Sequence, residues 1–291
     1  MSTPRNYFSL VKFSHTIFAL PFAMIGFSLG SADRAGTPGK PLWLLFCLVL
    51  VCMVTARSAA MAFNRYLDRQ FDAKNPRTAI REIPRGIISP ASALRFVLVN
   101  GILFMTAAWF INSACFFLSP VALFVVLFYS YTKRFTSLCH LVLGLGLSLA
   151  PLGAYIAVTG SFAVLPILFS GTVLCWVSGF DIIYALQDEE FDKTEHLHSI
   201  PVAMGKKRAL WVSRLLHTFS AVLVLTAGWY GHFGMWYFAG VVLFIGMLVY
   251  QHSIVSPGNL SRVNIAFMTA NGIASVVFAV FAITDILLHV T

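Results

Sequence analysis

The chain has 291 residues, of which 58% are hydrophobic and only 11% charged, against about 25% charged in an ordinary soluble domain. With mean hydropathy at +0.82, the apolar surface is too large to hide in one core and lipid is its natural solvent, which excludes a water-exposed globule, a disordered chain, a collagen-like fibre and a small disulfide scaffold. The net charge of +9, from 20 Lys and Arg against 11 Asp and Glu, raises the question of nucleic acid, but the placement of the cations described below explains them as membrane-orientation signals, and no nucleic-acid partner is expected.

A spanning helix needs about 20 mostly apolar residues. Nine stretches qualify, at approximately 14–32, 41–64, 93–112, 115–132, 138–158, 164–184, 209–230, 235–252 and 265–289, predicting an all-α, polytopic membrane protein. The first begins near Ser14 and leads into further spans without a small-residue cleavage pattern, so it reads as a span and not as a cleavable signal. Nine is odd, so the two termini face opposite sides. With the amino terminus in the cytoplasm, 17 of the 20 cations fall on the inner side: Arg5 and Lys12, the group from Arg65 to Arg95, Lys133 and Arg134, the group from Lys193 to Arg214, and Arg262. Arg34 and Lys40 lie outside and Arg57 lies within a span, so the excess of inner cations orients the bundle.

The acids are distributed still more unevenly. Asp68, Asp72 and Glu82 follow the second span, and Asp181, Asp188, Glu189, Glu190, Asp192 and Glu195 end the sixth; only Asp33 and Asp285 lie elsewhere. Both groups fall on the cytoplasmic face. The first reads Asn64-xxx-Asp68-xxx-Asp72, and helical residues four apart share a face, so these three form a vertical ladder of oxygens. The second reads Asp181-xx-Tyr184-Ala-xx-Asp188-xxx-Asp192, whose spacings of seven and four again select one stripe. DRQFD aligns with DEEFD, and each is followed by Ile-Pro (Ile83-Pro84 and Ile200-Pro201), an internal repeat with both copies on the same side.

Carboxylates four apart repel and destabilise a helix by a few tenths of a kcal/mol, so something positive must offset them. The bland explanation is neutralisation of a solvated helix end by Arg65, Arg69 and Lys193, but two matching clusters at one face weaken it. Magnesium is the natural counter-ion, because it takes hard oxygen ligands, keeps several waters and is held by a few carboxylates plus substrate phosphates. Two such helix ends would grip a diphosphate between them and assist its departure. The polar loop from Asp72 to Arg85 offers Arg77 and Arg81 for bidentate phosphate contacts, while Lys133 and Lys206 would act as point charges. Arg57, seven residues before Asn64, is a costly cation inside a span and should face a polar interior as a partner to the acids.

These residues together resemble the UbiA superfamily of intramembrane aromatic prenyltransferases. The two acidic motifs carry the likeness, with Asn75-Pro76-Arg77-Thr78-xx-Arg81, Tyr129-xxx-Lys133 and the opening Lys12-Phe-Ser-His15-Thr-Ile-Phe-Ala-Leu-Pro21, and the RSAAMAFNRYLDR and LHSIP runs look closest to the 4-hydroxybenzoate polyprenyltransferase branch. The resemblance implies a single domain over 1–291, a bundle of about nine helices around a central cavity, and an apolar tunnel for the isoprenoid tail. By matching position it implies that Asp68, Asp72, Asp188 and Asp192 serve Mg2+, and that Asn64, Arg77, Arg81 and Lys133 bind the diphosphate. Asp181, Tyr184 and Lys133 then stand nearest the chemistry. The implied reaction transfers a polyprenyl group from polyprenyl diphosphate to an aromatic acid acceptor, 4-hydroxybenzoate, in ubiquinone or menaquinone-type quinone synthesis, at a bacterial inner membrane with the site facing the cytoplasm.

Other readings stay open at this point. An ion-coupled transporter would place its acids near the bilayer midplane, whereas these lie at one face. A membrane phosphotransferase would carry a compact glycine-containing signature that is not present. A dihydroxynaphthoate or a haem or chlorophyll precursor would use the same donor motifs with another acceptor. Cys47, Cys52, Cys115, Cys139 and Cys175 show no CxxC spacing and read as small buried hydrophobes. His15, His140, His217, His232, His252 and His289 are scattered lone residues, while His196 and His198 follow the second motif and are candidates to touch substrate. Gly144, Gly146 and Gly153 read as sites of close helix packing.

Overall fold

The structure, a computed structural model, describes residues 4–11, 18–36 and 38–289. Lys12, Ser14 and His15 of the opening motif lie outside the described residues, as do the side chains of Arg5 and His289. The described chain forms α1 (Pro4–Val11), α2 (Leu20–Asp33), α3 (Leu42–Leu67), α4 (Arg69–Lys74), α5 (Pro90–Ile111), α6 (Ser113–Thr132) and α7 (Cys139–Thr159). It continues with α8 (Val164–Ala185), α9 (Glu189–Thr194), α10 (Ile200–Tyr230), α11 (Met235–Ile254), a π-helical turn (Ile265–Ala270) and α12 (Asn271–His289). Among the described residues, eight helices are long and apolar enough to cross a membrane, the last of them counted from Ile265 to Leu288. The remaining expected span, 14–32, is represented by α2, whose 14 described residues pack against α7 and α12.

Local chemistry sets the helix ends. Asn112 ends α5 and starts α6, its side-chain oxygen accepting the Cys115 N–H at 2.8 Å while its amide donates to the Ile156 carbonyl at 2.8 Å. Ser89 and Ser199 cap α5 and α10 in the same way, with a proline at the first helical position of α5 (Pro90) and the second of α10 (Pro201), where a missing N–H costs nothing. Gly160, at φ 72°, closes α7 in the left-handed conformation. Helix α10 begins nine residues before the expected 209, because Lys206, Lys207 and Arg208 disqualify that stretch as a membrane span without preventing a helix outside it. Gly205, at φ 76°, interrupts it.

Because lipid tails are as apolar as the side chains, helices here associate through close contact more than through hydrophobic drive. A Cβ on Gly26 of α2 would stand 2.0 Å from the Pro151 carbonyl oxygen of α7, and one on Gly144 would stand 2.5 Å from the Leu174 carbonyl oxygen of α8. The expectation for the other two glycines of α7 is corrected. A Cβ on Gly153 meets nothing within 4 Å and one on Gly146 meets Val126 at an ordinary 3.5 Å, and both residues line a cavity instead. On the far side of that cavity, Phe22, Phe169, Trp176, Phe180, Phe244 and Phe278 form the main core between α2, α8, α11 and α12. Trp176 donates its indole N–H to Asn271 at 2.8 Å, and the Asn271 amide donates to the Ala266 and Phe267 carbonyls that the π-turn leaves out of the α ladder.

The two acids outside the motifs are structural. Asp33 accepts the Tyr155 hydroxyl at 2.6 Å, and the fully buried Asp285 accepts the Gly234 and Tyr237 N–H groups that open α11. All five cysteines are free, but Cys47 is exposed on the outer surface of α3 and Cys52, Cys115 and Cys139 border the cavity, so burial as small hydrophobes describes only part of the set. His217 and His252, read as lone residues, face each other at 2.9 Å between α10 and α11.

Gly26→Leu should lower the unfolding midpoint in detergent by the overpacking cost of about 1–3 kcal/mol, while Gly153→Ala leaves it unchanged. Identical midpoints for the two variants would contradict the tight α2–α7 crossing.

Candidate active site

The acidic motifs sit where two spanning helices break. Helix α3 ends at Leu67 and α4 starts at Arg69, with Asp68 between them at φ −86°, ψ 4°. Asp188 separates α9 from the turn after α8 at φ −100°, ψ 0°. The expected helical ladder is therefore interrupted by two bends, each centred on an acid, a residue that competes with its own backbone and disfavours helix interiors. The four-residue spacing survives the bend, because the Asp72 N–H donates to the Asp68 carbonyl at 2.7 Å and the Asp192 N–H to the Asp188 carbonyl at 2.8 Å.

Four cations hold the acids. Arg77 grips both oxygens of Asp188 through Nη2 at 2.8 and 2.6 Å and reaches the Tyr184 hydroxyl through Nη1 at 3.0 Å. Arg81 Nη1 lies 2.6 Å from Asp72 Oδ1. At the end of α6, Lys133 Nζ donates to Asp192 Oδ1 at 2.8 Å, while its neighbour Arg134 donates to Asp68 Oδ1 at 3.0 Å. The loop after α4 and the end of α6 thus each send one cation to each motif. Asn75 and Thr78 fold that loop, Asn75 Oδ1 accepting the Arg77 N–H at 3.0 Å and the Thr78 hydroxyl donating to the Asp72 carbonyl at 3.1 Å. Asn64 completes the first motif by donating to Asp68 Oδ2 at 3.0 Å.

These groups share one cavity of about 480 Å³. All ten residues singled out from the sequence line it: Asn64, Asp68, Asp72, Arg77, Arg81, Lys133, Asp181, Tyr184, Asp188 and Asp192. The rest of the wall is largely apolar and continues along α3, α6 and α7 past Val49, Cys115 and Ile156, near the opposite ends of those helices. The acids lie at one end, not at midspan, which removes the transporter-like placement. The expected neutralisers do other work. Lys193 pairs with Glu189, Arg69 donates to the Tyr66 carbonyl, and Arg65 lies in the field of Asp68, Asp72 and Glu82 without a hydrogen bond of its own. Lys206, His196 and His198 do not line the cavity; His198 instead donates its backbone N–H to the Lys133 carbonyl at 2.7 Å.

Two residues escaped the sequence reading. By sequence Arg134 is only an orientation cation, since nothing in the order of residues pairs it with Asp68. His140 of α7 lies 41 positions from Asp181, too far for any spacing rule, yet its Nδ1 stands 2.7 Å from Asp181 Oδ2 inside the cavity. Tyr184 packs on Phe267 of the π-turn with ring centres 4.2 Å apart, and the Arg77 guanidinium lies 5.6 Å from the Tyr184 ring centre.

Burial lifts the Asp68 and Asp192 carboxyls above the usual carboxylate range, with Arg134 and Lys133 offsetting only part of the effect. Burial works against the Lys133 ammonium and the Arg77 guanidinium too, but Asp192 and Asp188 outweigh it and hold both cations above their ordinary values. One oxygen in each motif remains unsatisfied: Asp72 Oδ2 and Asp192 Oδ2 are buried without a hydrogen bond, although Lys133 Nζ approaches the latter to 2.7 Å off hydrogen-bonding geometry. Such oxygens fit a hard divalent cation. Among the described residues no three His, Cys, Asp or Glu side chains converge tightly enough to enclose an ion alone, so phosphate and water oxygens would complete the shell.

A family model described as the UbiA prenyltransferase family matches residues 19–273. A 4-hydroxybenzoate octaprenyltransferase of Tolumonas auensis is 30% identical over 245 residues, covering 84% of each chain. The apo structure of a UbiA homolog from Aeropyrum pernix K1 superposes with a TM-score of 0.79 at 27% identity, covering 95% of this chain and 98% of its own. A UbiA homolog from Archaeoglobus fulgidus bound to DMAPP and Mg2+ shares the fold, with a TM-score of 0.77 at 21% identity over 97% and 99% of the two chains.

Lys133→Met should cost up to about 3 kcal/mol, the lower end of the range for breaking a buried pair because Lys133 is itself 33% exposed. Adding Asp192→Asn should recover most of that loss in thermal unfolding in detergent. A double variant no more stable than Lys133→Met would show that the pair does not matter to the fold.

Proposed function

Since the chain belongs to the UbiA prenyltransferase family, we propose that it is an integral membrane, Mg2+-dependent aromatic polyprenyltransferase. It moves a polyprenyl group from polyprenyl diphosphate to 4-hydroxybenzoate in ubiquinone or menaquinone-type quinone synthesis, with one domain spanning 1–291. The observation that carries this reading is the meeting of both acidic motifs and their cations at one end of a cavity that is otherwise apolar. The acceptor is taken from the relatives described as 4-hydroxybenzoate octaprenyltransferases.

Asp68, Asp72, Asp188 and Asp192 would hold the metal, with the unsatisfied oxygens of Asp72 and Asp192 as the first to gain from it. Bound there with the phosphate oxygens, Mg2+ supplies the positive charge that makes diphosphate a good leaving group. Asn64, Arg77, Arg81 and Lys133 would receive the diphosphate oxygens, the three cations already standing at the same mouth. The allylic C–O bond breaks with both electrons leaving on diphosphate, and the electron-rich ring attacks the allylic carbon. The displaced ring proton then passes to Asp181. The Tyr184 and Phe267 rings, packed together on the cavity wall, would favour positive charge on the allylic carbon. The apolar wall keeps water from intercepting that carbon. Positive-inside orientation puts this mouth on the cytoplasmic side of a bacterial inner membrane.

Membranes containing the protein, given polyprenyl diphosphate and a panel of aromatic acids, should yield prenylated 4-hydroxybenzoate identified by mass. EDTA should stop the reaction and added Mg2+ restore it. Asp68→Asn and Asp188→Asn should each lower kcat by at least about a hundredfold, a transition-state loss near 3 kcal/mol, while the folded protein stays in the membrane. Near-normal turnover by both variants would sink the assigned roles.

A further inference from the structure

Of the five acids in the two motifs, Asp181 is the one that no lysine or arginine holds. Arg77, Arg81, Lys133 and Arg134 are committed to Asp188, Asp72, Asp192 and Asp68. Arg57 lines the same cavity but has no hydrogen-bond or ion-pair partner among the described residues, which corrects the expectation that it partners the acids. What meets Asp181 is an imidazole. His140 Nδ1 stands 2.7 Å from Oδ2, while Oδ1 has no hydrogen-bond partner among the described residues and belongs to a side chain that lines the cavity.

The other ring nitrogen is fixed by the run Leu197-His198-Ser199-Ile200-Pro201, which folds over the junction of α6 and α7. The His198 N–H donates to the Lys133 carbonyl at 2.7 Å, and the Cys139 thiol donates to the His198 carbonyl at 3.7 Å. Ile200 opens α10, and a helix start leaves its first N–H groups without partners in the helix. Here the Ile200 N–H donates to His140 Nε2 at 3.4 Å, Pro201 has no N–H to place, and the Val202 N–H donates to Ser199 Oγ at 3.3 Å. A nitrogen that accepts the Ile200 N–H offers its lone pair, so this network assigns the ring proton to Nδ1, where Asp181 accepts it. His140 is only 2% exposed and its carbonyl accepts the Ser178 hydroxyl at 3.1 Å, so both ring and backbone are held.

We propose that His140 is a positioning residue for proton removal: it occupies Asp181 Oδ2 and so presents Oδ1 to the acceptor ring. This rests on the prenyl-transfer reading above, with Asp181 as its base. Once the allylic carbon has bonded to the ring, the ring C–H bond breaks, its electron pair restores the aromatic system, and the proton moves to Oδ1. A carboxylate gripped at both oxygens, as Asp188 is by Arg77, is turned toward its cation instead. Holding one oxygen and leaving the other free sets the direction of the base. The helix start at Ile200 thereby reaches the chemistry through His140 and Asp181.

The test compares wild type, His140→Leu and His140→Asn as purified full-length protein in lipid nanodiscs, with 4-hydroxybenzoate and with the same acid deuterated at both ring positions beside the hydroxyl. His140→Leu should lower kcat roughly tenfold to a hundredfold, part of what a general base contributes, and leave both KM values within about twofold. Its deuterium isotope effect on kcat should exceed that of wild type, because proton loss becomes the slow step. His140→Asn, whose amide N–H takes the place of Nδ1 but leaves Ile200 without its acceptor, should recover most of kcat and lower the isotope effect again. Unchanged kcat in His140→Leu overturns the proposal. A loss without a larger isotope effect, or an equal loss in both variants, would make His140 only a cap for α10 and overturns it too. If His140→Leu does not fold, His140→Gln decides, since its amide stands at the Nε2 end of the ring and not at Asp181: it should lose kcat and gain the isotope effect, and wild-type values for both count against the proposal. Near-normal turnover by Asp181→Asn would instead remove Asp181 as the base, and absence of any prenylated aromatic product from wild type would overturn the proposed reaction, each a separate failure.

Discussion

Five carboxylates face one partly dehydrated cavity mouth, and left to themselves they would force the two helix ends apart or take up protons. What holds them is the crosswise distribution of four cations. Arg77 and Arg81, four residues apart on one loop, reach Asp188 and Asp72 in different motifs, and adjacent Lys133 and Arg134 divide between Asp192 and Asp68. Each connector thereby ties α3 to α8 through charge. The loop after α4 is consequently a structural strut as well as the proposed source of phosphate ligands. Two carboxylate oxygens are still left without a hydrogen bond, so the protein alone compensates the cluster incompletely.

Lipid as solvent shapes the rest. Close helix crossings at Gly26 and Gly144 give contact where hydrophobic drive is weak, and buried polar groups are satisfied within the bundle, as Asp285 is by the first N–H groups of α11. The aromatic core around Trp176 lies to one side, so the cavity is bounded by a rigid wall of rings on α8 and a wall of small and aliphatic residues on α3 and α7. Such a chamber excludes water near a reactive carbon while accepting a hydrocarbon chain. The π-turn belongs to the same design, because it brings Phe267 against Tyr184 at the boundary between the charged mouth and the apolar interior.

The two halves of the internal repeat are similar in sequence and unequal in structure. Both bend at the middle acid, but only the first carries a long arginine-bearing loop, and only the second places an upstream acid, Asp181, against a histidine of α7. In the proposed reaction a repeat of this kind would let two copies of one helix–bend–helix unit hold the leaving group from two sides while the parts outside them diverge. In that reaction the divergent part, Asp181 with His140, serves the acceptor.

Much was legible in the linear chain because the relevant forces are local along it. Apolar runs near 20 residues set the spans to within a few residues, except at α10; the spacing of the acids picked out the two motifs, the family resemblance added their cations and Tyr184, and the cavity reunites all ten residues. What a single chain order cannot carry is contact between residues far apart. The Arg134–Asp68 and His140–Asp181 contacts, the bends at Asp68 and Asp188, the cavity-lining role of Gly146 and Gly153, and the absence of a counter-charge beside Arg57 all depend on which helices become neighbours. Hydropathy and periodicity are properties of one segment at a time, so they established the membrane, the elements and the acids. Charge compensation is a property of pairs, and only the packed bundle decided which cation meets which carboxylate and which cation meets none.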